Sequence, residues 1–375
     1  MTARRIPAAG AARAKPRLLI LTPDFPPVLG GIQVLVHRLA AAMSAFDVEV
    51  VTPASDGAAG FDRASGIATR RVSMPAGWHR AGMIALNAAG LRRAARFRPD
   101  VILSAHTIVS PAAAAISRLS RARTAQYFYA REILGRPRLS AFAANRADVV
   151  IAISAYTASL LSGVGASPAD LRVIPPGVDL PADPGPLAAE RPTVLTVAQM
   201  KNSYKGHDVL IRALVGVRER VPGVEWVVIG EGPLRASLEA LAAEHGLDGA
   251  ARFLGAVSDD ERDSWLRRAD VFAMPSRLPG EGFGIVYLEA GAYGKPVLAG
   301  NVGGALDVVE EGVTGLLVDP TDSEAVRDAL TRLLEDRALA QRLGSGGAAR
   351  AREFAWPAIV RRTEAVLLEL AGVPS

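Results

Sequence analysis

Short apolar runs rich in Val, Ile and Leu alternate with longer segments of helical periodicity along the whole chain. Runs that are apolar at almost every position are typical of strands buried on both faces of a parallel sheet. The predicted strands are Arg17–Thr22, Val48–Thr52, Val101–Ser104, Ala125–Tyr129, Val149–Ile153, Arg172–Ile174, Thr193–Ala198, Glu225–Ile229, Arg252–Leu254, Val271–Met274, Pro296–Ala299 and Gly315–Val318.

The intervening segments place apolar residues three or four positions apart, which is the spacing of one helix face. The predicted helices are Ile32–Met43, His79–Arg96, Pro111–Ser120, Ala155–Leu161, Asp208–Arg220, Leu234–His245, Asp259–Arg268, Gly284–Tyr293, Ser323–Glu335, Arg337–Glu353 and Trp356–Leu370. This alternation predicts an α/β protein with two Rossmann-like parallel-sheet domains that face each other across a cleft.

A Pro- and Gly-rich segment at residues 175–186 separates the two alternating regions and suits neither a helix nor a central strand. We therefore predict an N-terminal domain at 17–178 and a C-terminal domain at 179–355. The segment 356–375 is expected to form an amphipathic helix that packs back on the N-terminal domain. Residues 1–16 are expected to be a disordered basic tail, since they lack the apolar stretch of a secretory signal.

Two glutamates, Glu281 and Glu289, bracket a seven-residue segment that follows the strand Val271–Met274. A turn flanked by Gly282 and Gly284 is expected to carry the first carboxylate to the start of a helix. Free N–H groups and the positive dipole end suit a phosphate there, while the carboxylates can accept hydrogen bonds from sugar hydroxyls. The segment therefore predicts a binding site for a sugar nucleotide and glycosyl transfer from that donor.

Lys205 stands between a strand and a helix in Tyr204-Lys205-Gly206-His207-Asp208, in a chain whose basic residues are almost all Arg. A compact ammonium at that junction can neutralise a leaving diphosphate. The structural alternative is an exposed first helical turn in which Asp208 is the cap.

Paired or closely spaced glycines follow two further strands. Gly30 and Gly31 open a helix after the first strand, and Gly230 and Gly232 follow the strand Glu225–Ile229. Glycine lets backbone approach a phosphate or a flat base closely. A tight structural turn is the alternative at both places.

His106 follows the strand Val101–Ser104 directly. Ligands of open parallel sheets bind at the carboxyl ends of strands, so His106 can hydrogen-bond a substrate hydroxyl. A structural histidine is the alternative. The sequence shows no His, Asp or Glu cluster with metal-ligand spacing, so we predict no bound metal and no other cofactor.

The composition fits two globular domains, because 50% of the 375 residues are apolar. No apolar run is long enough to cross a membrane. The absence of cysteine excludes disulfides, and we expect a cytoplasmic protein, either free or peripheral at the inner face of the membrane.

Charge is divided unevenly, with 22 Lys and Arg against 10 Asp and Glu in residues 1–180. A basic first half favours an anionic partner such as a phospholipid surface. Nucleic acid is not expected, because no aromatic-interleaved basic motif is present. An Arg-rich solvated surface is the alternative.

These motifs together resemble the retaining, GT-B-fold glycosyltransferases of family 4 along nearly the whole chain. The resemblance rests on Gly30-Gly31-Ile32, Ile174-Pro175-Pro176-Gly177-Val178-Asp179, Tyr204–Asp208, Gly230-Glu231-Gly232-Pro233, Glu281–Glu289 and Gly312–Val318. The stretch from Gly284 to Ala290 is most similar to actinobacterial phosphatidylinositol mannosyltransferases.

The resemblance implies that Glu281 holds donor-sugar hydroxyls, that Glu289 holds the ribose, and that Lys205 stabilises the departing diphosphate. The donor-binding set that it implies is Gly30, Gly31, Gln199, Lys201, Lys205, Gly230, Gly232, Val257, Glu281, Gly282, Phe283, Gly284, Ile285 and Glu289. We predict Lys205, Glu281 and His106 as catalytic residues, and His106 and Tyr129 on the acceptor side.

Two positions depart from the family pattern. Gln199 stands where the family usually has an Arg that shares the phosphate clamp, and Lys201 is a candidate replacement. Tyr129 stands at the position of a family histidine, which leaves His106 as the better acceptor-side candidate.

The expected activity is retaining, metal-independent transfer of a hexose from a GDP- or UDP-sugar to a hydroxyl acceptor. The acceptor is a lipid, an envelope glycan or a secondary metabolite. Two alternatives stay open: a sugar-nucleotide-binding protein without transfer activity, and a sugar-nucleotide 2-epimerase.

Overall fold

A computed structural model of the protein describes residues 15–28, 30–73, 79–277 and 281–373. Of the predicted tail, residues 1–14 lie outside this part. The described strands are β1 Arg17–Leu21, β2 Asp47–Pro53, β3 Ala68–Val72, β4 Val101–Ser104, β5 Arg123–Phe128, β6 Val149–Ala152, β7 Leu171–Val173, β8 Thr193–Val197, β9 Glu225–Ile229, β10 Ala251–Gly255, β11 Val271–Met274, β12 Val297–Gly300 and β13 Gly315–Val318.

Helices alternate with these strands, as the periodicity predicts. They are α1 Gly31–Ala42, α2 Ala58–Ser65, α3 His79–Phe97, α4 Ser110–Leu119, α5 Ala130–Gly135, α6 Pro137–Arg146, α7 Ala155–Gly163, α8 His207–Arg220, α9 Arg235–Glu244, α10 Asp259–Arg268, α11 Ile285–Ala292, α12 Ala305–Val308, α13 Ser323–Glu335, α14 Arg337–Glu353 and α15 Trp356–Leu370. Short 3-10 turns lie at Thr107–Val109 and Ser203–Lys205.

The strands form two sheets, ordered β3-β2-β1-β4-β5-β6-β7 and β10-β9-β8-β11-β12-β13. Their recorded pairings are parallel, with β8 lying between β9 and β11. The α/β class with two Rossmann-like parallel sheets is thus confirmed. In each sheet the strand order reverses once, between β1 and β4 and between β8 and β11. Ligands of open α/β sheets bind beyond the carboxyl ends of the strands at such a switch point.

The six-stranded sheet has an apolar core in which a chain of hydrogen bonds joins three polar groups. Trp226 of β9 is 1% exposed, and its indole N–H donates to Thr196 Oγ1 of β8 at 2.9 Å. The Thr196 hydroxyl donates in turn to the carbonyl of Ala273 in β11 at 2.6 Å. Buried polar groups cost free energy unless they are hydrogen-bonded, so this chain of bonds fixes the three central strands together.

By its internal contacts the chain divides into two compact units. The first contains the residues up to Gln126, Arg146–Val149 and the residues from Thr363 onward, and the second contains Tyr127–Asn145 and Val150–Arg362. Within the first unit, Glu364 of α15 accepts a hydrogen bond from Ala45 N at 2.8 Å. The predicted domain limits, with a boundary after Val178, stay a prediction.

Candidate functional site

Lys205 lies on a tight turn at the switch point of the six-stranded sheet. The 3-10 turn Ser203–Lys205 connects β8 to α8, and Gly206 follows it with a φ of 78°. A Cβ at Gly206 would lie 2.2 Å from the carbonyl oxygen of Pro275, just beyond β11. Gly206 is therefore required twice, for its positive φ and for the close contact between the loops that follow β8 and β11.

Gly206→Ala is expected to destabilise the protein by roughly 3 kcal/mol, since a left-handed alanine costs about 1 kcal/mol and the backbone must also move. Gly223→Ala is the matched control, because Gly223 has a φ of 83° and open space around its Cβ position. Chemical denaturation of both variants checks this. A free energy of unfolding equally reduced in both would show that the contact with Pro275 has no energetic weight.

The Lys205 ammonium forms an ion pair with Glu281. Nζ lies 2.5 Å from Oε2, and the two side chains are 17% and 13% exposed. Nζ also lies 5.2 Å from the centre of the Tyr204 ring. The structure thus brings together the two residues that the sequence singles out, one from each strand end at the switch point.

The backbone around Glu281 is held by other loops of the same unit. The Glu281 carbonyl accepts from Gly304 N at 3.0 Å, and the Gly282 carbonyl accepts from Ser154 Oγ at 2.7 Å. A Cβ at Gly304 would lie 2.3 Å from the Gly282 carbonyl group. Neither Ser154 nor Gly304 was found from the sequence, although Gly304 belongs to a glycine pair that follows a strand end.

Helix α11 begins at Ile285 with Gly284 as its N-cap, one residue later than the sequence predicts. Gly284 has a φ of 88°, and a Cβ there would lie 2.4 Å from the Tyr287 ring. The buried Tyr287 hydroxyl donates to the carbonyl of Met274 at 2.7 Å, and burial raises the pKa of this phenol above its ordinary value. Tyr287 thereby fixes the helix N-terminus, with its free N–H groups, to the end of β11.

Glu289 lies half-buried on α11. Burial raises the pKa of its carboxyl, and the negative charges of Asp179 and Asp263 add to the rise while Arg262 opposes it. A carboxyl with a raised pKa can serve as a hydrogen-bond partner of sugar hydroxyls in either protonation state. Its predicted contact with a ribose stays a prediction.

The glycines Gly230 and Gly232 have a structural explanation. A Cβ at Gly230 would lie 2.1 Å from the Ala198 carbonyl oxygen, and one at Gly232 would lie 2.3 Å from that of Met200. Both glycines therefore let the loop after β9 pack on the loop after β8. Gln199 and Lys201 on that second loop are exposed.

Val257, Phe283 and Gly282 are three further residues that the sequence predicts to contact the donor. Val257 lies half-buried between β10 and α10, and Phe283 is buried with its ring centre 5.9 Å from that of Phe354. Gly282 lies close to Ala130, with 3.2 Å between the Ala130 Cβ and a Cβ built at Gly282. Their roles in donor binding, like those of Gly230, Gly232, Gln199 and Lys201, stay predictions.

Asp208 does not cap α8, so that interpretation of the sequence is wrong. The N-cap is Gly206, which has no side chain. The Asp208 carboxylate instead accepts two hydrogen bonds from the Arg277 guanidinium, at 2.7 and 3.2 Å. Sequence analysis missed Arg277, because no local pattern relates it to a residue so far away along the chain.

His207 follows this turn and is buried beside the Trp226 ring. Burial lowers the pKa of its imidazole to about 4, and the positive charge of Lys205 acts in the same direction while Asp208 opposes it. The neighbour of the catalytic candidate is thus a neutral imidazole near neutral pH. It adds no competing charge to the turn.

The pKa of His207 predicts a loss of stability in mild acid. Between pH 6.5 and 4 the unfolded imidazole binds a proton that the folded one does not, so the free energy of unfolding falls by roughly 2 kcal/mol as the pH drops to about 4.5. His207→Gln should remove this part of the pH dependence, whereas His245→Gln should keep it. Urea unfolding at pH 7 and 4.5 measures both, and identical pH profiles in the two variants would contradict the assignment.

Three predicted residues lie in the first unit, at the switch point of the seven-stranded sheet. Gly30 is the N-cap of α1, and Gly31 is its first residue with open space at its Cβ position. His106 Nδ1 accepts from Ile108 N at 3.2 Å, so the imidazole caps a 3-10 turn and carries its proton on Nε2. His106 therefore has a structural role as the cap of this turn, as the alternative interpretation of the sequence predicts. Its acceptor-side role and the donor role of Gly31 stay predictions.

Tyr129 is buried at the start of α5. Its ring stacks on Tyr127 with 5.8 Å between centres, and its backbone N–H donates to Glu132 Oε1 at 3.1 Å. The position therefore suits an aromatic residue because its ring packs against Tyr127. The predicted acceptor-side role of Tyr129 stays a prediction.

In the part of the chain that the structure describes, no group of three or more His, Asp or Glu side chains is placed to hold a metal ion. The charged groups at the switch point include the ammonium of Lys205, the guanidinium of Arg277 and the carboxylates of Glu281 and Asp208. Lys205, Glu281 and the N-terminus of α11 can hold a ligand that carries both hydroxyl groups and phosphate.

Comparison with known proteins identifies the family of the chain. Residues 29–181 match the family described as Glycosyltransferase Family 4, and residues 183–350 match Glycosyl transferases group 1. The GDP-mannose-dependent alpha-(1-6)-phosphatidylinositol monomannoside mannosyltransferase of Mycobacterium tuberculosis is 35% identical, over 88% of this chain and 92% of that protein. The D-inositol 3-phosphate glycosyltransferase of Nocardioides sp. is 37% identical, over 58% of this chain and 50% of that protein.

Solved structures agree on the fold. The Anabaena protein Alr3699/HepE in complex with UDP superposes with a TM-score of 0.79 at 22% identity, over 94% of this chain and all of that one. The sucrose-phosphate synthase of Thermosynechococcus elongatus gives 0.80 at 23% identity, over 96% and 99% of the two chains. The predicted GT-B fold and glycosyltransferase class are confirmed, and the chain belongs to glycosyltransferase family 4.

Proposed function

We propose that the protein is a retaining hexosyltransferase whose donor is a nucleotide-diphosphate sugar, with GDP-mannose as the first candidate. The observation that carries this proposal is the Lys205–Glu281 pair at 2.5 Å beside the N-terminus of α11. GDP-mannose is preferred because the M. tuberculosis relative is named as dependent on it. UDP-sugars are the other donor class, since UDP is bound in the Anabaena structure.

In the proposed reaction the bond between the sugar anomeric carbon and the diphosphate oxygen breaks, and its electron pair stays on the diphosphate. The acceptor hydroxyl forms the new bond on the same face, and its proton passes to the leaving oxygen. Lys205 and the N–H groups of α11 stabilise the charge that builds on the diphosphate. Glu281 accepts hydrogen bonds from the sugar hydroxyls, and no metal takes part.

A nucleotide-sugar panel tests the donor. We expect GDP-mannose to raise the thermal unfolding midpoint more than UDP-glucose, UDP-N-acetylglucosamine or ADP-glucose, because binding to the folded state alone stabilises it. Proton and carbon NMR of the purified product should show the α-anomer that the donor contains. A β-linked product would contradict retention, and stabilisation by none of the donors would contradict the proposed function.

We further propose that the acceptor is a lipid at an anionic membrane surface. The first half of the sequence is strongly basic, and the M. tuberculosis relative is named for a phosphatidylinositol acceptor. The helices α5 and α6 add exposed Leu134 and Phe142, which are 41% and 39% exposed, beside exposed Arg131 and Arg138. Apolar side chains flanked by Arg suit an interface of anionic lipids. No helix among the described residues is both long and apolar enough to span a bilayer.

Vesicle sedimentation tests this acceptor surface. Binding to vesicles of phosphatidylglycerol and phosphatidylcholine should be strong at low salt and should fall as salt rises, because exposed charges are screened. Vesicles of phosphatidylcholine alone should bind little. The double variant Leu134→Ser/Phe142→Ser should lose most of the binding, and equal binding to both vesicle types would contradict the proposal.

A binding protein without transfer activity is the second candidate, and one observation favours it. Gln199 is a neutral, exposed side chain at the position where the family usually has an Arg. Such a protein would bind the donor but would show neither transfer nor slow donor hydrolysis. The donor panel combined with a hydrolysis assay separates this candidate from the enzyme.

A further inference from the structure

Arg277 connects the loop after β11 to both sides of Lys205. Its Nη1 and Nη2 donate to Asp208 at 3.2 and 2.7 Å, and Nη2 also donates to the carbonyl of Ser203. Its backbone N–H donates to the carbonyl of Tyr204 at 2.7 Å. One residue therefore binds the two residues that precede Lys205 and the carboxylate that lies three residues after it.

These bonds leave the Lys205 turn little freedom to move. The Arg277 and Asp208 side chains are 23% and 25% exposed, so their paired hydrogen bonds are partly shielded from water. A two-pronged guanidinium–carboxylate pair fixes direction as well as distance. Gly206 adds the close contact with the Pro275 carbonyl on the same loop. The position of the ammonium is thereby set from the loop after β11, which also leads to Glu281.

We propose that Arg277 is a positioning residue for Lys205: by binding Asp208, Ser203 and Tyr204 it holds the ammonium where the diphosphate of the donor leaves. This inference rests on the proposed function and names a residue that acts only through another. A fixed ammonium needs no reorganisation when charge develops on the leaving group, so it can stabilise that charge beside a neutral Gln199.

A double-mutant cycle between Arg277 and Lys205 tests the inference. Arg277→Gln should lower kcat about tenfold in the native protein and less than about twofold in a Lys205→Ala background, since the ammonium that it positions is then absent. Arg277→Lys keeps the charge without the two-pronged geometry and should recover only part of the loss. Arg212→Gln is the matched control, because Arg212 contacts the same carboxylate at 3.4 Å from α8, and it should leave kcat unchanged.

A purely structural role gives a different pattern. It would lower kcat by the same factor in both backgrounds, and that additive result, like an unchanged kcat of Arg277→Gln, would overturn the inference. If Arg277→Gln does not fold, Asp208→Asn breaks the same pair from the other side and enters the same cycle with the same expectations.

Calorimetry with GDP and UDP separates failure of this inference from failure of the proposed function. If the native protein binds the nucleotide but transfers no sugar, the proposed function fails. The double-mutant cycle is then measured with the affinity for the nucleotide in place of kcat. Arg277→Gln should weaken nucleotide binding in the native background by at least about threefold and leave it unchanged in the Lys205→Ala background. Equal weakening in both would overturn the positioning role.

Discussion

Lys205→Ala is expected to lower kcat by about 10²-fold or more, because the ammonium stabilises charge that develops on the diphosphate only as the sugar leaves. The affinity for the donor should change less than kcat, since part of the binding comes from the N–H groups of α11 and from Glu281. In the structure, Nζ lies 2.5 Å from Glu281 at the switch point of the sheet.

Steady-state kinetics and calorimetric donor binding measure the two quantities separately. Lys205→Arg should keep part of kcat, because it retains a cation without the compact ammonium. Lys15→Ala serves as a control, since Lys15 is exposed near the start of the described chain. If the alanine variant at position 205 turns over at the native rate, Lys205 does not stabilise the leaving group.

Glu281→Ala is expected to produce the second large loss, and a selective one. Removal of this carboxylate takes away the acceptor of the sugar hydroxyls and leaves the Lys205 ammonium without its 2.5 Å partner. The affinity for a nucleoside diphosphate should then stay level or rise, because the ammonium no longer interacts with a carboxylate. The affinity for the complete nucleotide sugar should fall at least about tenfold, and kcat/KM by about 10²-fold.

Glu281→Gln is the matched variant, because it keeps the volume and one acceptor oxygen but removes the charge. It should recover part of the sugar affinity. Paired titrations with GDP and GDP-mannose give the comparison directly. If GDP and GDP-mannose both lose affinity by the same factor in Glu281→Ala, Glu281 does not divide the site into a sugar part and a phosphate part.

The fold was predictable where burial makes a strand continuously apolar. Val271–Met274 is the clearest case, with all four residues buried, and the structure confirms all six predicted strands of the second sheet with end shifts of at most one residue. The strand β3 at Ala68–Val72 was not predicted. It lies at the edge of the sheet, and the adjacent Arg70 and Arg71 make its sequence resemble a solvated segment. The helices α5 and α6 were not predicted either, because Gly135 at the end of α5 and Pro137 at the start of α6 are residues typical of loops.

Only those site residues could be predicted that are marked by the sequence pattern of their own loop. Lys205 and Glu281 stand out because each follows a strand end beside glycines, and parallel strand ends meet at one edge of a sheet. The pair between Arg277 and Asp208 joins residues that are 69 positions apart, so no local periodicity indicates it. At Gly230 and Gly232 the sequence is ambiguous, because close backbone packing on Ala198 and Met200 is enough to require glycine at both positions.

A crystal structure with an intact nucleotide sugar would show whether Lys205 and the start of α11 hold the diphosphate. We expect the Lys205 ammonium about 3 Å from a diphosphate oxygen, the N–H groups at the start of α11 beside the same diphosphate, and the Glu281 carboxylate hydrogen-bonded to a sugar hydroxyl. A complex in which the diphosphate lies elsewhere, with Lys205 and Glu281 still paired only to each other, would contradict this expectation.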